Sequence, residues 1–245
     1  MIVEKQEILA KLRQQLLEMQ GYKSLPEASG NSFGLGPIES CFPTSTFPTG
    51  TIHEFLAESP EEAAASEGFM TGLLSKLMEN GRSCLWISQE RKLFPPSLEI
   101  FGADPQHIIF IDLNYKKDIL WVLEEALKCE GLACVIAELP DVDFAQSRRL
   151  QLVTEKSHVT GFILRKRSKS RISATACTAR WAIKPYPSAT INNLPGVGNP
   201  RWEINLIKVK NAEGGTFLLE WADNRFLPVE SSHPVVLKEE KEKIA

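Results

Sequence analysis

Thr51-Ile-His-Glu-Phe-Leu-Ala-Glu-Ser-Pro-Glu-Glu-Ala-Ala-Ala-Ser-Glu67 is the stretch that decides the fold. It reads as a strand, a tight turn and the start of a helix, which is where a nucleotide-binding α/β protein carries its phosphate loop. The chemistry of such a loop is absent. A phosphate cradle needs glycines so that backbone N–H groups converge on the anion, a lysine for the outer phosphates, and a Ser or Thr for magnesium. Between Leu56 and Glu67 there is neither Gly nor Lys, and Glu58, Glu61, Glu62 and Glu67 repel a polyphosphate. The scaffold of a nucleoside triphosphatase is expected here, without the parts that hold the nucleotide.

Downstream the rhythm continues as strand, helix, strand, helix. Residues 61–80 repeat Phe69, Leu73 and Leu77 every four residues and end at Gly81; 83–88 and 107–113 are short apolar strands separated by Pro95 and Pro96. A helix is predicted over 118–129, a strand over 133–139, a helix over 142–156 and a strand over 160–165. Short, nearly continuous apolar strands separated by helices imply a parallel sheet covered on both faces. Residues 201–210 and 216–221 alternate instead in the antiparallel manner, joined by Asn211-Ala-Glu-Gly-Gly215 as a hairpin that extends one sheet edge. Upstream, Ile8, Leu12 and Leu16 form the stripe of an amphipathic helix over 1–20. Residues 21–50 are rich in Gly, Pro, Ser and Thr, with Phe33, Leu35 and Ile38 as isolated anchors, and read as an ordered linker or wrap. The domain itself is expected over 51–228, and 229–245 as a frayed charged tail.

The chain has 245 residues, 43% hydrophobic and 24% charged, the composition of an ordinary soluble protein. No apolar run approaches the length of a membrane span and no secretory leader is evident, so a cytoplasmic address follows, at the nucleoid if DNA is bound. Five cysteines at 41, 84, 129, 134 and 177 lack zinc-site spacing; neither a metal nor a cofactor is expected. The net charge of −3 hides an asymmetry. Between Glu155 and Glu203 there are nine basic residues and no acid, which leaves the rest of the chain at about −12.

Several stretches together resemble a family: Gly50-Thr-Ile-His-Glu-Phe, Cys84-Leu-Trp-Ile-Ser-Gln-Glu90, Phe94-Pro-Pro-Ser-Leu-Glu-Ile-Phe-Gly102, Asp118-Ile-Leu-Trp-Val-Leu-Glu-Glu-Ala-Leu127, Ser147-Arg-Arg-Leu-Gln-Leu152 and Pro200-Arg-Trp-Glu-Ile-Asn-Leu206. In their order and spacing over residues 45–222 they are similar to ImuA, a RecA-like family of bacterial mutagenic DNA repair. The resemblance implies an α/β, RecA-like core with a largely parallel central sheet flanked by helices, plus the C-terminal antiparallel hairpin. It implies action in the damage-induced (SOS) translesion pathway, beside an ImuB-type Y-family polymerase homologue and an error-prone replicative polymerase subunit, with RecA as a further partner. It also implies that Glu90 stands where a RecA-type ATPase keeps its water-activating acid, and Glu138 where an Asp supports magnesium. Without a phosphate loop both read as structural remnants, so no significant ATP turnover is expected.

Two basic features remain. Arg148 and Arg149, adjacent on a helix, point different ways; they stand as solvated charges or, through the resemblance, as partner-contact candidates. Arg165-Lys-Arg-Ser-Lys-Ser-Arg171 has the charge density of a phosphate-contacting loop, which makes Arg165, Lys166, Arg167, Lys169 and Arg171 nucleic-acid candidates, with Trp181 and Tyr186 as the nearest stacking platforms. DNA binding and a merely solvated loop stay open on charge alone. His53 reads as a hydrogen-bonding structural residue rather than a base. The leading expectation is a non-catalytic adaptor; the alternatives are a degenerate ATPase that binds single-stranded DNA and a damage-induced inhibitor of cell division.

Overall fold

The computed structural model describes residues 32–166, 173–188 and 198–229; the predicted helix over 1–20, residues 21–31 of the linker and all of the tail but Val229 lie outside them. One nine-stranded sheet organises the chain in the order β3-β2-β4-β5-β1-β6-β7-β8-β9. The strands are β1 (Ile52–Ala57), β2 (Cys84–Ser88), β3 (Ile108–Asp112), β4 (Cys134–Leu139), β5 (Thr160–Lys166), β6 (Ala179–Tyr186), β7 (Arg201–Val209), β8 (Gly215–Ala222) and β9 (Arg225–Pro228). From β3 to β6 all neighbours are parallel, and from β6 to β9 all are antiparallel.

Among the described residues three α-helices cover the sheet: α1 (Pro60–Leu77), α2 (Lys116–Leu127) and α3 (Phe144–Ser157). The strands that carry β1 and β4 are buried along their whole length or nearly so, as a parallel sheet with helices on both faces requires. Successive side chains alternate between two cores. On the α1 face lie Phe55, Phe69, Phe162, Trp181, Trp202 and Phe226; on the α2 and α3 face lie Ile52, Ile87, Leu123, Val135, Leu150 and Ile163. Each such side chain withdrawn from water contributes on the order of 1.5–3 kcal/mol before ordering costs. The ring of Phe55 stacks on Trp181 at 5.9 Å with 9° between planes, which locks β1 to β6. Gly72 lets α1 settle onto β8 and β9, since a Cβ there would lie 2.6 Å from the Phe226 ring.

The predicted hairpin is present and extends the sheet, but it joins through β6, a strand the sequence pattern did not mark. A further strand, β9, follows β8 across Asp223 and Asn224, both at positive φ as a tight two-residue hairpin turn requires. The described part of the predicted linker or wrap packs into the core. Phe33, Leu35, Ile38, Phe42 and Phe47 are all buried, and the 3-10 turn Gly36–Cys41 packs on β8 and β9.

Candidate functional site

In an open α/β sheet a ligand is expected beyond the carboxyl ends of the parallel strands. At the end of β1 only Glu58 and Ser59 separate strand from helix. A phosphate loop takes about eight residues to wrap its anion. Here the helix start is closed by the chain's own oxygens: Ser59 Oγ accepts from the Glu62 N–H at 3.2 Å, and Glu62 Oε2 accepts from the Glu58 N–H at 2.8 Å. Pro60, at the first helical position, has no N–H to offer. The Ser59 hydroxyl and a backbone N–H hold the Glu61 carboxyl below its usual range, so it stays ionised beside them. An incoming phosphate meets carboxylates already seated on the donors it needs.

The next feature along the edge joins four elements, β2, β4, β5 and α1. Glu138 of β4 accepts from Trp86 Nε1 at 3.0 Å and from Lys166 Nζ at 2.6 Å. The same ammonium reaches Glu67 of α1 at 2.9 Å. Burial pushes the Glu67 carboxyl up, more than Lys166 pulls it down. Lys166 is itself partly desolvated, yet its hydrogen bond to Glu138 and the two negative charges hold its pKa above the usual value. Trp86 thus holds one oxygen and Lys166 the other at the acid that the resemblance assigns to magnesium support. Glu90, by contrast, is exposed and lies 3.4 Å from Lys92.

A buried ion network lies behind this edge. Glu54, fully buried on β1, accepts from Arg165 Nη1, from Arg180 Nε at 2.6 Å and from Thr175 Oγ1 at 2.8 Å. Arg165 also donates through Nη2 to Asp141 and to Ser173 Oγ, and Arg180 Nη2 donates to the Ser173 carbonyl at 2.8 Å. This corrects the reading of Arg165 as a nucleic-acid contact: its side chain is 0% exposed and committed to internal carboxylates. Lys166 is one-third exposed and held by two acids. Arg167, Lys169 and Arg171 lie outside the described residues. The network fastens the chain on both sides of that basic segment, at Arg165 and at Ser173 and Thr175.

Of the remaining candidates, Arg148 and Arg149 are both about half exposed on α3. Arg148 approaches Glu155 at 3.9 Å and Arg149 pairs with Glu124 of α2 at 2.7 Å. Trp181 is fully buried and is removed as a stacking platform, while Tyr186 remains exposed. His53 is structural as expected: its Nδ1 accepts from Trp181 Nε1, its Nε2 bonds the Pro48 carbonyl at 2.8 Å, and its ring stacks on Phe47. Burial lowers its pKa to about 4. The Glu54 network went unread in the sequence, although a glutamate inside Ile52-His-Glu-Phe-Leu56 is itself a signal, because a charge in a buried parallel strand needs a buried partner.

Among known proteins, the chain is 32% identical over 200 residues to Protein ImuA of Caulobacter vibrioides strain NA1000 / CB15N, covering 77% of this chain and 82% of that protein. The chain belongs to the ImuA family. Protein ImuA of C. vibrioides strain ATCC 19089 / CIP 103742 / CB 15 matches with the same figures. No family model matches the chain. Among solved structures, the RadB recombinase superposes with a TM-score of 0.55 at 15% identity, covering 82% of this ImuA-family chain and all of RadB. The fold is RecA-like. Among the described residues no helix is long and apolar enough to cross a membrane.

Proposed function

We propose that this chain is a non-catalytic, RecA-like adaptor of the bacterial DNA-damage (SOS) response. It supports translesion synthesis or modulates RecA, and it engages RecA, an ImuB-type Y-family polymerase homologue with its error-prone replicative subunit, or both. The observation that carries this reading is the two-residue β1–α1 connection whose helix donors are taken by Ser59 and Glu62. A RecA-like body that keeps the sheet and helices but closes the phosphate position has its surfaces left to work with. Membership of the ImuA family supports the repair context. By presenting one RecA-like subunit face without a nucleotide to cement the joint, such a chain would cap or disrupt a filament.

The experiment is a pull-down of purified RecA, together with electron microscopy of preformed RecA filaments on single-stranded DNA after addition of this protein. Stoichiometric capture and shortened filaments are expected. Absence of any contact with RecA removes the imitation, and capture of the ImuB-type protein alone would move the adaptor to the polymerase side.

A further inference from the structure

A cleft of about 200 Å³ opens between α1 and the segment 92–101, lined by Glu67, Gly68, Thr71, Lys92, Phe94 and Phe101 among others. Its floor is firm. The Phe101 ring packs against Trp202 at 5.9 Å and Trp221 at 6.1 Å, and a Cβ on Gly68 would lie 2.9 Å from that ring. Its rim is open: Phe94 is 68% exposed and has no aromatic partner among the described residues.

Glu67 lines the cleft, while its ion-pair partner Lys166 and the second acid, Glu138, are not lining residues, and the charge of this trio is unbalanced. Glu67 and Glu138 share the single ammonium of Lys166, with the two carboxylates only 13% and 10% exposed, so the trio carries one net negative charge where water is scarce. Lys92 does not correct this, because its ammonium lies 3.4 Å from the Glu90 carboxylate on the exposed side. Burial raises the Glu67 pKa and the nearby Glu138 charge raises it further, against the pull of Lys166.

We infer that this cleft receives an arginine side chain from a partner protein, its guanidinium meeting Glu67 and its plane lying against Phe94. A guanidinium is planar, weakly hydrated and permanently charged, and it bonds a carboxylate while stacking on an aromatic face, which the cleft offers together. A polyphosphate is repelled by the same charge. A bare divalent cation lacks ligands, since the described residues hold no group of three or more His, Cys, Asp or Glu side chains able to bind one. An apolar side chain fills the space but leaves the carboxylate uncompensated.

The test is a titration of the full-length, 15N-labelled protein with acetyl-Gly-Arg-Gly-amide and with the same peptide carrying citrulline, read at the Gly68 and Thr71 amides. The arginine peptide is expected to shift these amides with millimolar affinity, and the uncharged citrulline peptide to bind at least about 5-fold more weakly. Phe94→Ala, at an exposed position that leaves the core intact, should weaken the arginine peptide by about 3-fold or more, and Glu67→Gln by more than that. Equal binding of the citrulline peptide, or no shift at these amides up to about 50 mM arginine peptide, overturns the inference. The inference names a surface for the adaptor proposed above, and the two fail separately. A silent titration beside intact RecA capture sinks the cleft alone, while arginine binding without capture of RecA or the ImuB-type protein sinks the adaptor alone.

Discussion

Replacing Glu54 by Gln keeps the volume of a fully buried side chain and removes its charge. Glu54 accepts bonds from Arg165, Arg180 and Thr175, so the change leaves two guanidinium groups, at 0% and 11% exposure, short of their shared anion. Removing one partner of a buried pair typically costs about 3–5 kcal/mol, more than the pair itself contributes relative to an apolar replacement. At roughly 2–4 °C per kcal/mol for a domain of this size, Tm should fall by about 6–20 °C. Urea unfolding followed by circular dichroism should show a lower midpoint at an unchanged m-value. Asp141, 70% exposed on the other side of Arg165, gives the internal control: Asp141→Asn should cost less than about 1 kcal/mol. Adding Arg165→Met to Glu54→Gln should cost less than the sum of the single changes. A Glu54→Gln protein melting within about 2 °C of the parent would refute the claim that this network holds β1, β5 and β6 together.

His53 makes a pH prediction. Its folded pKa of about 4 lies below the usual 6.5 because the ring is buried. The unfolded chain therefore takes up the proton first, so the contribution is complete above pH 6.5 and is lost as pH falls from 6.5 to about 4. The total is about 3 kcal/mol, and urea midpoints measured from pH 8 to pH 4 should lose that slope in His53→Phe; an identical slope in the variant contradicts it. Contact of the basic segment with single-stranded DNA predicts that replacing Arg167, Lys169 and Arg171 by Ala weakens binding and flattens the log–log salt dependence by about 2. Fluorescence anisotropy over a salt series checks this, and an unchanged slope removes DNA from that segment.

Much of the architecture was legible because parallel strands such as Cys84–Ser88 and Cys134–Leu139 each carry four consecutive apolar residues and are bounded by glycine and by helical periodicity. The strand β6 was not, for a physical reason. Ala179-Arg-Trp-Ala-Ile-Lys-Pro-Tyr186 mixes charges and a proline into the element where the sheet changes from parallel to antiparallel. Its buried half pairs with β1, while Lys184, Pro185 and Tyr186 run on beside β7 into solvent. Local pattern carries neither half clearly.

The candidate site divides along the same line. Missing glycines in 57–66 are visible in the sequence because a phosphate loop is a local motif, and the structure adds that Glu62 and Ser59 cap the vacancy. Arg165 was misjudged because charge density is a one-dimensional measure. The residue follows Ile163 on the buried face of β5, and its counter-ion sits 111 positions earlier in the chain. Lys166, one residue later, faces the opposite side and reaches Glu138 and Glu67. Only pairing of β5 with β1 and β4 separates the two fates.

Calorimetric titration of ATP with magnesium into the purified protein tests the central claim most directly. Closed donors at Glu58 and Glu62 and an ammonium between Glu67 and Glu138 predict no heat of binding and no nucleotide-dependent rise in Tm up to about 1 mM ATP. Micromolar, magnesium-dependent ATP binding that disappears in Glu138→Gln would contradict the account.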